Sequence, residues 1–382
     1  MALIQQNHQG MVMTMDGFYL AALQLVRGIG SQSLRKLMDC FGTAEHIWNA
    51  SSDELLQAKC LNASALEAVI SFRQQSCNTP ERLYEQCVQG NISLCTFADD
   101  TYPDLLKHIF NPPCVLFVKG CLQPHRDCIA VVGSRKLSPY GRSVAESLSM
   151  DLAAAGISVV SGAARGIDTA AHYGAMKTGR TIAVLGCGVD VAYPPENRKL
   201  LADIAEHGAV ISEYAPGTMP MQAFFPARNR IISGLSRGTL VVEAAEKSGS
   251  LITAELALSE GRDVFAVPGN IFSDTSRGCH RLIQQGAKLV TRSQDILEEY
   301  EKHGVERSGM KKDMALELSE EEALVYGVLS FDRPLSVDEI IYKLNGSHAA
   351  NIAFLLLQME LKGIIEENAS HNYVRAVKEG VL

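Results

Sequence analysis

The sequence lacks several features that would have placed it quickly. It has no excess of positive charge: 35 lysines and arginines face 43 aspartates and glutamates, for a net charge of −8. That balance excludes a chain coated in basic surface, so any nucleic-acid partner must meet a local patch. No CxxC pair occurs among the ten cysteines, at 40, 60, 77, 87, 95, 114, 121, 128, 187 and 279, which removes the usual zinc and dithiol spacings. Cys128 and Cys187 lie in or beside apolar runs, and buried, reduced thiols are the expectation. No apolar run reaches 18 residues, and no basic segment leads into an apolar stretch at the N-terminus. Neither a membrane span nor a signal peptide is therefore expected, and the predicted location is the cytoplasm.

Chemical signatures are missing as well. There is no HExxH and no metal-ligand cluster, so neither catalytic residues nor a metal is expected. No GxGxxG follows a strand, no acidic residue stands about 20 residues later, and GK[ST] is absent, which leaves no dinucleotide or P-loop cofactor. Asp168 and His172, four residues apart on one predicted helix, could mimic an acid/base pair but read better as hydrogen-bonded helix-start residues.

What is present is a long, apolar, glycine-rich chain: 382 residues, 47% hydrophobic, with 31 glycines. Two or three domains are expected. Residues 1–75 read as short helices, with Gly28-Ile29-Gly30 in a tight turn like that of a helix-hairpin-helix or SAM-like domain. Arg27, Arg35 and Lys36 are the only bases near it. Residues 76–302 form the core. From 128 onward apolar runs ("CIAVVG", "ISVVSG", "TIAVLG", "AVISEY", "TLVVEA", "VFAVPG") alternate with helical stretches, the pattern of an α/β fold with an extended Rossmann-like parallel sheet covered on both faces. Residues 303–317 read as a linker. Residues 318–382 read as three helices and a hairpin, the outline of a winged helix. Its third helix carries no base before Lys362, while Glu320, Glu321 and Glu322 crowd the first, which favours protein contact over groove reading.

Four glycine-rich turns are expected to converge at the carboxyl edge of the sheet, where open α/β sheets bind ligands. They bring Gly133, Ser134 and Arg135; Ser161, Gly162 and Gly166; Gly186 and Gly188; and Lys247, Ser248, Gly249 and Ser250. Unpaired N–H groups there would accept phosphate oxygens, with Arg135 and Lys247 adding charge. Between the third and fourth turns, Phe225 precedes Arg228-Asn229-Arg230. An aromatic beside guanidinium groups is the device of single-strand binders. Phe224 reads as core.

The motifs "VVGSRKLSPYG", "SGAARGIDTAAH", "LGCGVDVAYPPEN", "SEYAPG", "FPARNRIISGLS", "KSGSLITAELA" and "VFAVPGNI" together resemble the DprA (Smf) family of bacterial DNA-processing proteins, from about residue 20 to 376. The resemblance implies sequence-independent binding of single-stranded DNA, loading of the RecA recombinase during natural transformation, a homodimer and no known catalysis. It implies phosphate contact by Arg135 and Lys247, with Phe225 and Arg228-Asn229-Arg230 lining the same pocket. Three positions depart from the pattern: Gln222, Pro195 and His280. Losing bases there shifts the expected affinity toward backbone N–H groups and stacking. Two alternatives stay open. One is a phosphoribohydrolase-like enzyme using Glu243, although the PGGxGT segment of that group is absent. The other is a module that senses a small nucleotide.

Overall fold

The structure is a computed structural model that describes residues 5–6, 12–74, 79–123, 127–301, 318–330, 333–344, 351–368 and 371–376. The expected linker, 303–317, lies outside the described residues, as does the expected boundary at 75/76. After a two-residue ladder, β1 (Gln5–Gln6) with β2 (Val12–Met13), come α1 (Met15–Gln24), α2 (Ser31–Phe41), α3 (Ala44–Asn49), α4 (Ser52–Gln57), α5 (Ala63–Gln74) and α6 (Pro80–Gly90). Gly28 permits the turn between α1 and α2 with φ +96°, a conformation that glycine alone adopts at no steric cost. The helical layer runs on past residue 75, because Tyr84 of α6 packs edge-on against Phe18 of α1.

The core begins with β3 (Ser93–Thr96), α7 (Asp104–Lys107) and β4 (Val115–Gly120), then alternates strand and helix. These are β5 (Cys128–Val132), α8 (Pro139–Ala154), β6 (Ser158–Ser161), α9 (Ile167–Thr178), β7 (Thr181–Leu185), α10 (Arg198–His207) and β8 (Ala209–Ser212). There follow α11 (Phe224–Leu235), β9 (Gly238–Val241), α12 (Gly249–Ser259), β10 (Asp263–Ala266), α13 (Arg277–Gln284), β11 (Lys288–Leu289) and α14 (Ser293–Glu301). Among the described residues the strands form one nine-stranded sheet, in the order β11-β10-β9-β5-β6-β7-β8-β4-β3. Strands β5 to β11 run parallel, while β4 is antiparallel to β8 and β3 to β4.

Side chains of the strands separate by period two. Ala130, Val132, Val160, Ile182 and Val184 enter one core with Ile231 and Ile232 of α11. Ile129, Val131 and Val159 enter the opposite core with α8 and α9. On that same side, Ala183 and Leu185 join the core of the N-terminal helices. A sheet buried on both faces needs apolar residues at every position, which is why its strands read as unbroken apolar runs.

The chain leaves β5 toward β6 on one side and returns as β9 on the other. The loops after β5 and β9 therefore diverge at a topological switch point, and the crevice between them is where this architecture places a ligand. A separate C-terminal core unites α15 (Glu320–Val328), β12 (Leu335–Ser336), α16 (Val337–Lys343), α17 (Ile352–Leu361), β13 (Ile365–Glu367) and β14 (Asn372–Arg375). Its three strands are antiparallel, in the order β12-β14-β13. Most described cysteines are buried or half-buried, as expected, but Cys40 and Cys121 are exposed.

Candidate nucleic-acid interface

The switch-point crevice is an open cleft of about 730 Å³, lined by Gly133, Ser134, Arg135 and Lys136 after β5 and by Ala245, Ser248, Gly249 and Ser250 after β9. Its third wall is one face of α11: Phe225, Asn229 and Ile232, a spacing of four and three that a helix turns to one side. Arg135 is exposed, with its guanidinium carbon 5.7 Å from the Phe225 ring centroid. Tyr193 stacks on Phe225 at 5.4 Å and 29°. The cation and the two rings thus cluster around Phe225 at the cleft.

The turn that carries Arg135 is built by a buried carboxylate. Glu243, 3% exposed, accepts from the N–H of Ser138 at 3.0 Å and from its hydroxyl at 2.6 Å. Thr275 donates to it as well, at 3.3 Å. Ser138 in turn caps α8 by accepting from the N–H of Gly141. The Glu243 carbonyl accepts from the N–H of Ser134 at 2.8 Å, and the Ser134 hydroxyl donates to the Lys136 carbonyl at 2.7 Å. A Cβ on Gly133 would stand 2.9 Å from the Glu243 carbonyl, so glycine is required for this close passage.

Several of the expected contacts are corrected by this geometry. Ser134 has no free N–H to offer, because Glu243 holds it. The N–H of Gly162 donates to Asp168 at 3.1 Å, and that of Gly188 donates to the Thr218 carbonyl at 2.9 Å. Ser161 is buried and donates to the Val131 carbonyl. Gly166, at φ +83°, passes so close to the Ser134 carbonyl that a Cβ would clash. Gly186 is buried and makes room for the Phe225 ring, 3.0 Å from where its Cβ would be. These residues shape the cleft and do not present donors to it.

Arg230 departs from the expectation, and Arg228 lines the cleft only from its floor. Successive residues turn by about 100°, so positions 228 and 230 point about 200° apart and cannot line one wall. Arg228 is 5% exposed and donates to the carbonyls of Gly162, at 2.8 Å, and Val184. It lies in the cleft floor as a fixed charge, with Asp168 beside it. Arg230 faces away and grips both oxygens of Glu213 at 2.6 Å, which spends its charge. Lys247 is exposed on the loop between Ala245 and Ser248, while Gly249 has open space on its Cβ side. The expected cradle of N–H groups is largely spent here too, because the N–H of Ser248 donates to the Ala245 carbonyl at 3.0 Å and the N–H of Ser250 to the Ser248 hydroxyl at 3.4 Å. Phe224, expected in the core, is half-buried and stacks on Tyr214 at 4.1 Å.

Asp168 and His172 do not bond to each other. Burial raises the Asp168 pKa above the usual carboxylate range, against the pull of Arg228. His172 is fully buried, with Nδ1 2.6 Å from the Thr181 hydroxyl, and burial pushes its pKa down to about 3. It is neutral and structural. Of the three departures, Gln222 lines the cleft, Pro195 opens a short 3-10 turn and His280 contacts the Gly269 carbonyl at 3.1 Å. Lys136 and Ile252, which the sequence reading passed over, also line the cleft. No group of residues suited to a metal occurs among those described, and none of the described helices is long and apolar enough to cross a membrane.

Comparison with known proteins agrees with this geometry. The family model of DNA recombination-mediator protein A matches residues 93–301, over half of the chain. The DNA processing protein DprA of Streptococcus pneumoniae is 52% identical over 205 residues, covering 53% of this chain and 72% of that one. DprA of Bacillus subtilis is 44% identical over 221 residues, or 57% of this chain and 74% of that one. The X-ray structure of the Streptococcus pneumoniae protein aligns over 74% of this chain and 97% of its own, with TM-score 0.65 and 40% identity. A structure of the Helicobacter pylori protein, described for its single-stranded DNA binding mode, aligns over 55% of this chain and 97% of its own, with TM-score 0.51 and 29% identity. A shared sheet, the same ordered motifs and this level of identity identify the chain as a member of the DprA family of DNA recombination-mediator proteins.

Proposed function

We propose that this protein binds single-stranded DNA, without regard to sequence, across the carboxyl edge of its sheet. The observation that carries the reading is the cluster of Arg135, Phe225 and Tyr193 lining the cleft. An aromatic face accepts any base, and an exposed guanidinium grips a phosphate with paired N–H bonds. Lys136 and Lys247 extend the grip with two further charges, while Arg228 supplies charge from the cleft floor. The cleft is open at its sides, which suits a polymer better than a sealed nucleotide. The Helicobacter pylori relative's single-stranded DNA binding supports the same reading.

In this proposal the bound strand is protected and passed to the RecA recombinase in natural transformation or recombination, and the working form is a homodimer. The family description as a recombination mediator supports that hand-over. Glu243 argues against a glutamate-based hydrolase, since its carboxylate is buried and committed to Ser138 and Thr275. We read the N-terminal helices as a helix-hairpin-helix or SAM-like unit and the C-terminal unit as a winged helix suited to protein contact. On its third helix the exposed large apolar side chains are Phe354, Leu357 and Leu361, and Lys362 is held by Glu322 at 2.5 Å.

The test is competition between single- and double-stranded oligonucleotides of one sequence, read by fluorescence anisotropy. Single strands of different base composition should bind alike and outcompete the duplex. Equal affinity for both forms, or binding of a mononucleotide with none of an oligonucleotide, would overturn the reading.

A further inference from the structure

The sheet edge that carries the cleft does not end at β8. Because β4 is antiparallel to β8, with Phe117 opposite Ser212, and β3 to β4, with Thr96 opposite Val115, the start of β4 and the end of β3 lie on the same carboxyl edge. There a second cleft, of about 620 Å³, opens between α2 and the residue after β3, lined in part by Arg35, Lys36, Asp39 and Phe97. The Arg35 guanidinium carbon is 4.8 Å from the Phe97 ring centroid, the same cation-over-ring pairing as Arg135 and Phe225. Lys36 beside it is exposed. Asp39 opposes one of the two charges, leaving the cleft with a net positive balance.

This second cleft is rigidly placed. The Gln24 side chain of α1 donates to the carbonyls of Val115, at 2.9 Å, and Glu213, at 3.2 Å, and accepts from the N–H of Val115 at 2.8 Å. That amide ties the helical layer to the ends of β4 and β8 along the same edge. From β5 to β3 there are five strand spacings, or about 24 Å at roughly 4.8 Å each. At about 3.4 Å per nucleotide a strand crosses that span in about seven nucleotides, and in fewer if stretched.

We propose that the cleft of Arg35, Lys36 and Phe97 is a second contact for the same single strand, taking one base against the ring and a flanking phosphate at Lys36. The ring face is indifferent to base identity and the cation adds to its attraction. The inference rests on the single-strand reading of the first cleft, and length of DNA separates the two.

The experiment measures anisotropy of labelled oligothymidylates of three and fifteen nucleotides on the full chain, wild type against Arg35→Gln and Lys36→Glu. Thermal melting confirms folding, and Lys36→Glu, at an exposed position, keeps the test open if Arg35→Gln misfolds. The expected result is unchanged affinity for the three-nucleotide strand and a loss of about tenfold for the fifteen-nucleotide strand, the size of one charge-assisted contact. Unchanged affinity at both lengths overturns the second contact and leaves the first cleft standing. Equal loss at both lengths also overturns it, because the effect then lies in the first cleft. A wild type that binds neither length refutes both readings.

Discussion

Arg228 and Gly162 fix each other: the guanidinium donates to the glycine carbonyl at 2.8 Å, and a Cβ on Gly162 would stand 2.6 Å from its terminal nitrogen. The buried arginine has nowhere to move, since it also holds the Val184 carbonyl. Gly162→Ala should therefore lose about 1–3 kcal/mol of stability, the usual range for overpacking, measured by denaturant unfolding. A variant as stable as the wild type would show that Arg228 is not clamped.

Arg230, though two residues away, belongs to the fold and not to the DNA. Its bond to Glu213 is a half-buried, doubly hydrogen-bonded pair. Arg230→Ala should lower the unfolding midpoint and leave single-strand affinity within about twofold of wild type, since no phosphate contact of about 1.5–3 kcal/mol is removed. A folded variant with a tenfold loss of affinity returns Arg230 to the binding surface.

These two arginines mark where the sequence was legible and where it was not. The strands could be read because burial on both faces leaves unbroken apolar runs such as Cys128–Val132. The loops could be read as a set because glycine ends strand after strand. Adjacency in the chain, however, hides helical rotation, so Arg228 and Arg230 looked like partners. Nor could the spent N–H groups of Ser134 and Gly188 be foreseen, because their acceptors, Glu243 and Thr218, lie on other turns. Strand β3 was missed because Ser93–Thr96 is short and buried throughout, without alternation. Glu243 stood out only as a candidate acid, since the Ser138 it holds is 105 residues away in sequence.

His172 makes stability depend on pH. Its folded pKa, about 3, lies below the ordinary value of 6.5 because of burial and the Arg228 charge. The fold therefore favours the neutral ring, and this stabilisation is complete above about pH 6.5 and is lost as pH falls toward 3. Asp168, with a raised pKa, acts in the opposite sense, so the two are separated by substitution. His172→Gln should flatten the acid limb of stability against pH. A wild-type slope in that variant would assign the limb elsewhere.

In the proposed function Phe225 and Tyr193 form the stacking platform for bases. Phe225→Ala should cost about 1–3 kcal/mol of binding to single-stranded DNA, read by titration calorimetry, while Phe225→Trp should retain it. A folded alanine variant with unchanged affinity would make the ring a packing residue.

The most direct measurement is the affinity of Arg135→Ala for a single-stranded oligonucleotide across a salt series. Arg135 is exposed, so the fold should be unaffected. Loss of a charge-assisted phosphate bond of about 1.5–3 kcal/mol predicts at least a tenfold weaker complex, and a salt slope shallower by about 0.7 for the one phosphate released. The same affinity and the same slope as wild type would contradict the binding site described for this protein.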